Sequence, residues 1–436
     1  MSTRRSKTRR PRRRMFTQRG VALIAVTLAL SGILVMASEF GTRASLDVMA
    51  AANHRDRMRA HFLAQSALDL SELVIRLQQR LDNVQQLQGI QITDYASLLM
   101  SAFGGGPEEV SELMGQSDLK GLGANIGTFD VAISTDDDKI NVNCANARGK
   151  TAEYLAARIG ALYYFPVYDP IFSDPDADGW RRDRELQTAA IVDYVDLDGA
   201  KLGTPGSPED YGYDNLKDPY GAKNNYIDTV GEIRQIRGID DRFWSLFGNA
   251  FTVYGGCQIN LSAATDPKII ASVIQLSAEN QQDPVLANPD QLWNLALVVA
   301  KAHDIMPFTT TQEFADFVND PVGSMTSTIA TGGTGGAASS AAASAALPGI
   351  PPGLKGVKLS PQLLAAIATA GPRRTYRVEA TGEVTRAQVD SDGKPVFPPV
   401  RRTLRGVWDT KTTPQNARPS PAGQSGAGAW VFLREE

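Results

Sequence analysis

Gln18-Arg19-Gly20, then VALIAVTLALSGILVMA from Val21 to Ala37: an uncharged apolar run of seventeen residues follows a strongly basic start. Only Thr27 and Ser31 interrupt the run. As a helix it lies near the lower limit for crossing a bilayer core. Residues 1–20 hold nine Lys and Arg and no acid. That flank keeps the N-terminus cytoplasmic and places everything after residue 40 across the membrane. There is no proline from Val21 to Gln88, and the only glycines are Gly32 and Gly41. Leu63, Ala67, Leu70 and Val74 recur at helical spacing, so one helix of roughly 100 Å is predicted over 21–88. Its first part suits lipid, and its second part requires a partner face. The heptads are too irregular for a coiled coil.

A secretory signal carries a small-residue cleavage site after its apolar stretch. Ala37–Ser45 offers none, and a glycine stands before the stretch instead. Arg19-Gly20-Val21 with the run behind it resembles a type IV prepilin leader. In that family a membrane peptidase cuts after the glycine and methylates the new N-terminus. The resemblance implies processing between Gly20 and Val21; the alternative is an uncleaved signal anchor. Most pilins carry glutamate at the fifth mature position, where it pairs with a neighbour's amine. Here that position is Ala25. Its presence weakens the resemblance or marks a member that assembles differently.

The 436 residues allow two or three domains. Removing the nine charges of residues 1–20 from a formal net charge of −4 leaves −13. An acidic body disfavours general nucleic-acid binding and suits divalent cations or basic partner surfaces. Cys144 and Cys257 can pair in a compartment beyond the inner membrane, or remain two buried thiols. The three histidines are His54, His61 and His303, and no Walker A, G-x-S-x-G or HExxH motif occurs. An enzyme is not predicted.

Thr128–Ser134 alternates as a strand. Helical patterns dominate 145–320, at 151–164, 185–195, 229–237, 241–248, 265–278, 290–302 and 311–318, with acidic Gly- and Pro-containing loops between them. Residues 322–353 are Gly-, Ala- and Ser-rich and read as a linker or exposed insertion. A short helix at 361–370 precedes strands at Thr375–Val384, Arg401–Asp409 and Ala429–Arg434. The boundaries are a leader at 1–20, a transmembrane and amphipathic helix at 21–88, and the first part of a β domain at 89–138. A helical insertion follows at 139–320, then a linker at 321–354 and completing strands at 355–436. The fold class is α+β: a long N-terminal helix, an antiparallel sheet and a large helical domain inserted between strands.

Asp174-Pro-Asp176-Ala-Asp178-Gly179-Trp180 through Glu185 matches the EF-hand loop pattern D-x-D-x-D-G-x5-E. Such a loop wraps calcium with three short carboxylates, one carbonyl and a final glutamate. Arg181 at position eight and the lack of a second loop depart from the standard pair, and the alternative is a solvated acidic loop. A second acidic constellation runs through Asp193, Asp196, Asp198, Glu209 and Asp210 to Asn224. Paired carboxylates here fit calcium with fewer assumptions than acid–base catalysis.

The blocks AAIVDYVDLDG (189–199), SPEDYGY (207–213), DPYGAKNN (218–225), VGEIRQIRGID (230–240) and CQINLSAA (257–264) keep one order and spacing. With KINVNCAN at 139–146 they resemble the type II secretion protein K family of minor pseudopilins. Tyr194 stands where that family has Trp, and Gly231 precedes Glu232. The family also lacks the fifth-position glutamate. The resemblance covers most of residues 15–265. It implies a pilin fold with a helical domain in its sheet, and calcium held by Asp196, Asp198, Glu209 and Asp210, with Asn224 as a weaker ligand. It implies a single-pass inner-membrane protein with a periplasmic body at the pseudopilus tip. Implied partners are I- and J-like minor pseudopilins, the major pseudopilin, the prepilin peptidase and the inner-membrane secretion platform. It says nothing of the 174–185 loop. Val230–Tyr254 also resembles a helix-hairpin-helix, so a membrane-anchored DNA-uptake receptor is the alternative, and a calcium-dependent adhesin a third. From 130 to 245 there are 22 acids against 13 bases, which repels phosphate and favours a packing role.

Overall fold

A computed structural model describes residues 18–84, 90–100, 127–146, 151–204, 206–209, 211–305, 307–325, 353–386, 397–412 and 428–436. In chain order these form α1 (Gln18–Asp82), α2 (Ala96–Met100), β1 (Thr128–Thr135), β2 (Ile140–Asn141), α3 (Thr151–Leu162), α4 (Asp169–Ser173), α5 (Arg184–Asp193) and α6 (Asp241–Phe247). Then come β3 (Phe251–Thr252), β4 (Ile259–Asn260), α7 (Pro267–Ser277), α8 (Pro284–Ala287), α9 (Pro289–Ile305), α10 (Thr311–Asn319), α11 (Pro361–Ile367), β5 (Ala368–Thr369), β6 (Thr375–Val384), β7 (Val400–Asp409) and β8 (Ala429–Glu435).

The upper half of α1 lies on a four-stranded antiparallel sheet ordered β1-β6-β7-β8. Ala60, Ala64, Ala67, Leu68 and Ile75 of the helix share one core with Phe129, Val131, Tyr376, Val378, Ala380, Leu404 and Trp408 of the sheet. Small residues on the helix let its backbone come close. At Gly382 a Cβ would meet the Ala60 carbonyl, and would stand 2.6 Å from the Ala64 nitrogen and 2.9 Å from the Leu63 Cβ. Buried Asp56 accepts from Arg386 at 2.7 Å, locking the helix to the end of β6. Residues 20–51 of α1 are exposed throughout. By length and composition, α1 is long and apolar enough to cross a membrane.

β1 and β6 are neighbours in register, with Val131 opposite Ala380, although the chain between them holds the helical lobe. That lobe has two halves. In the first, β2 runs parallel to β3; in the second, β4 runs parallel to β5. Each half opens on Ile-Asn. The Asn141 side chain donates to the Tyr254 and Gly255 carbonyls at 3.1 and 3.2 Å and accepts from Asn143 N at 3.0 Å. Asn260 repeats this, donating to the Gly371 carbonyl at 3.1 Å and accepting from Ser262 N at 3.1 Å. In both halves the asparagine amide stitches the opening strand to the loop where that half ends.

α1 stops at Asp82, short of residue 88. The Gln78 amide donates to Asp82 Oδ1 at 2.7 Å and to the Ile90 carbonyl at 2.9 Å, while its oxygen accepts from Ile92 N at 2.7 Å. One buried side chain therefore turns the chain back. The predicted helix at 229–237 is a 3-10 segment, Val230–Gln235, that turns extended at Ile236, two residues before Gly238 at φ +83°. The returning strand starts at Thr375 as its alternation predicts, but the stretch from residue 355 that leads to it begins in the lobe. Val357, Leu359, Leu364 and Ile367 belong to the core of the helical lobe, and the sheet resumes at Thr375. The Gly- and Ala-rich stretch thus falls between α10 and α11, inside the lobe; its residues 326–352, like 413–427 and most of 1–20, lie outside the described residues.

Candidate metal centre

α5 is capped by Asp183, whose side chain accepts from Leu186 N at 2.7 Å, and ends at Asp193. Asp193 is fully buried and accepts from Leu202 N at 3.0 Å and from the Tyr211 hydroxyl. It thereby holds both ends of the excursion that follows. Within that excursion Asp198 Oδ1 accepts from Ala200 N at 2.8 Å, and Ala200 pairs with Pro208. Lys201 N bonds the Ser207 carbonyl at 2.9 Å, with Gly203 and Gly206 at positive φ in the turn. This small hairpin returns Glu209 to Asp196 and Asp198. From the far side comes Asn224, in a left-handed conformation at φ +46°. Its backbone N–H donates to the Tyr194 carbonyl at 3.0 Å, and its amide donates to the Asp198 carbonyl at 2.9 Å.

One ligand atom from each of Asp196, Asp198 and Glu209 lies within 4.8 Å of the others. Burial, then the neighbouring carboxylates, pushes Asp196 up to about 7. The same two causes push Glu209 up to about 7. Asp196 Oδ1, both carboxylate oxygens of Glu209 and Asn224 Oδ1 are buried without a hydrogen-bond partner. Buried polar atoms are almost always satisfied, and the unpaired oxygens of Asp196 and Glu209, with Asp198 converging on them, offer a place for a cation. Every donor is oxygen, and three are carboxylates, which is the chemistry of a hard divalent ion such as calcium. The residues fit that group.

The EF-hand-like stretch is built differently. Asp176 is buried and its Oδ1 already accepts from Asp178 N at 3.0 Å and Trp180 N at 2.7 Å. Arg237 approaches Asp176 at 3.8 Å and Asp178 at 3.4 Å, and Arg242 approaches Asp174 at 3.7 Å. Glu185 is exposed in the first turn of α5. Among the described residues, Asp174, Asp176, Asp178 and Glu185 do not converge as a metal cluster, contrary to the expectation from the motif. Asp210 lies outside the described residues. Gly20 and Val21 sit exposed in α1. Cys144 and Cys257 are disulfide-bonded, with Cα atoms 5.6 Å apart, and tie the openings of the two halves together.

Nor does the hairpin at 230–254 present a phosphate cradle. Its Gly238 turn packs on α5, where Gln187 donates to the Arg237 carbonyl at 3.0 Å, and its carbonyl accepts from Arg182. Asp240 spends Oδ1 on capping α6 through Phe243 N at 2.9 Å.

No family model and no curated protein matches this chain. Among solved structures it is similar to the crystal structure of the GspK-GspI-GspJ complex from the enterotoxigenic Escherichia coli type 2 secretion system. The match has 13% sequence identity and a TM-score of 0.47, and covers 88% of this chain and 99% of that one.

Proposed function

We propose that this chain is a minor pseudopilin of the type II secretion system, of the protein K type, and that it caps the pseudopilus. The observation that carries the reading is the helical lobe between β1 and β6, in a sheet seated on an otherwise bare apolar helix. An apolar helix of this kind is built to pack among like helices. A lobe of this bulk cannot repeat along a tight helical filament, so the end is the place for it. Ala25 is consistent, because no subunit above needs a glutamate for its amine. The basic leader and the run from Val21 to Ala37 make it a single-pass inner-membrane protein with a periplasmic body. Partners are I- and J-like minor pseudopilins, the major pseudopilin and the secretion platform, met through α1. Phe62, Leu73 and Leu77, exposed on its upper half, offer lateral contacts. The chain carries no chemistry of its own; calcium at Asp196, Asp198, Glu209 and Asn224 stiffens the hairpin.

The test has two stages. The mature protein is isolated from membranes with and without the prepilin peptidase, and its N-terminal mass is read. An N-methylated Val21 that appears only with the peptidase supports pilin-class processing. A chain still starting near Met1 overturns it and moves the DNA-uptake receptor ahead. Gold label on an epitope in the lobe should then mark filament ends; label spaced along filaments excludes the tip.

A further inference from the structure

The 174–180 segment has the backbone of a metal loop, with Asp176 Oδ1 accepting two of its own amides and Gly179 at φ +80°. What faces those carboxylates is arginine. The Arg237 side chain is 8% exposed, sits between Asp176 and Asp178, and lies over the Trp180 ring at 5.8 Å. Arg242 bonds the Pro175 carbonyl at 2.7 Å and Asp240 at 3.2 Å, besides approaching Asp174. The following chain has no regular secondary structure through residues 180–183, and Arg182 is buried. There it donates to the Ile171 carbonyl at 3.2 Å and pairs with Asp240 at 3.5 Å. That turn of the chain, with Asp183 as cap, is what keeps Glu185 from coming back to the loop.

We infer that the guanidinium of Arg237 is the resident cation of this loop, with Arg242 closing its entrance. The 174–180 segment is then organised without metal, and the calcium requirement of the lobe falls on the hairpin between Asp196 and Asn224 alone. A planar guanidinium paired to two carboxylates, with its face on an indole, is a fixed charge that a divalent ion must evict. The inference stands whether or not calcium binds at Asp196.

The test is calcium stoichiometry by native mass spectrometry of the full chain, with terbium emission excited through tryptophan as a second readout. Trp180 occupies the seventh loop position, so terbium bound there lights up and Trp180→Phe removes the signal. The expected result is that Asp198→Asn weakens calcium binding about 10–100-fold, so that at calcium near the wild-type dissociation constant no ion remains in the mass spectrum, and that this chain shows no terbium emission there. Arg237→Met, which keeps the aliphatic stem on the indole, placed in the Asp198→Asn chain should create an emission that Trp180→Phe abolishes. An Asp198→Asn chain that still holds one calcium, lost on adding Asp176→Asn, overturns the inference. That comparison needs no change at Arg237. A wild-type chain that binds no calcium sinks the carboxylate-cluster reading and agrees with this one.

Discussion

The effect of Asp196→Asn on stability should depend on calcium. In the folded chain Asp196 titrates at about 7, and so does Glu209, both raised first by burial and then by the other carboxylates. In the unfolded chain both titrate near 4. Between about pH 4 and 7 the folded state therefore binds more protons than the unfolded one. Without calcium, stability falls as pH rises through that window. At ~1.4 kcal/mol per pH unit the gross effect for Asp196 is roughly 4 kcal/mol. Partial exposure and solvent screening reduce it to about 1–2 kcal/mol. The neutral amide removes this penalty, so in chelator at pH 8 the variant should melt roughly 2–4 °C higher than wild type. At pH 5 the wild-type carboxyl is already protonated, and the difference should vanish.

With calcium at 100 times its dissociation constant the wild type gains ~2.7 kcal/mol. Loss of one of three carboxylates should weaken binding by about 10–100-fold, or roughly 1.4–2.8 kcal/mol. That loss offsets the ~1–2 kcal/mol gained at pH 8, so in calcium the variant should lose its advantage over the wild type and, toward about 100-fold weakening, melt below it. Scanning fluorimetry at pH 5, 6.5 and 8, with calcium and with chelator, reads all six conditions. Equal destabilisation of the variant in calcium and in chelator would refute the reasoning, because Asp196 would then be stabilising the fold through contacts that need no metal.

Two further outcomes concern the scaffold. Gly382→Val should destabilise the sheet by about 1–3 kcal/mol or more, since its Cβ meets α1 backbone that cannot yield, whereas Val in an ordinary strand position is favourable. Near-ultraviolet circular dichroism of the packed Trp408–Trp430 pair during melting reports it. Cys144→Ser with Cys257→Ser opens a loop of 113 residues, worth at most about 5 kcal/mol in the chain-entropy account. Limited proteolysis should then cut the helical lobe first, while the α1–sheet unit persists.

How far the sequence could be read depended on whether local chain geometry was enough. Asp196, Asp198 and Glu209 were legible because a helix end, an Asx turn and a tight hairpin join them within fourteen residues. Asp193, beside them, is a different case: buried and bonded to Tyr211, it positions the hairpin, and only the fold separates it from the three carboxylates that converge. The 174–185 motif is the reverse case. Its own residues favour a metal, and the arginine that answers them stands 59 positions beyond Asp178. The end of α1 was misjudged because Gln78, an ordinary helix former, finds its partners in the returning chain. The strands themselves showed in their alternation. That the stretch from residue 355 through α11 belongs to the lobe and not to the sheet domain did not, because the apolar residues of α11 could have packed on either core.

The bulk of the lobe argues for a terminal position only if the lobe cannot swing aside. A lobe on slack tethers could fold away and let a filament continue. Here the two links between lobe and sheet are pinned to each other. The Asp137 carboxylate accepts from Thr375 N at 3.2 Å and from Arg374 N, and its carbonyl accepts from Asn260 N at 2.8 Å. Asp136 is fully buried between Lys139 at 2.7 Å, Arg377 of β6 at 2.6 Å and Thr252 of β3 at 3.1 Å. Burial pushes its carboxyl up, but Lys139 and Arg377 hold it below the usual aspartate value, so the bridge stays charged. Removing one partner of such a buried pair is costly, which makes the crossing a fixed joint. On the proposed reading, a lobe held rigidly between neighbouring strands would present the same obstruction to every incoming subunit, and steric termination needs that fixity as much as it needs size.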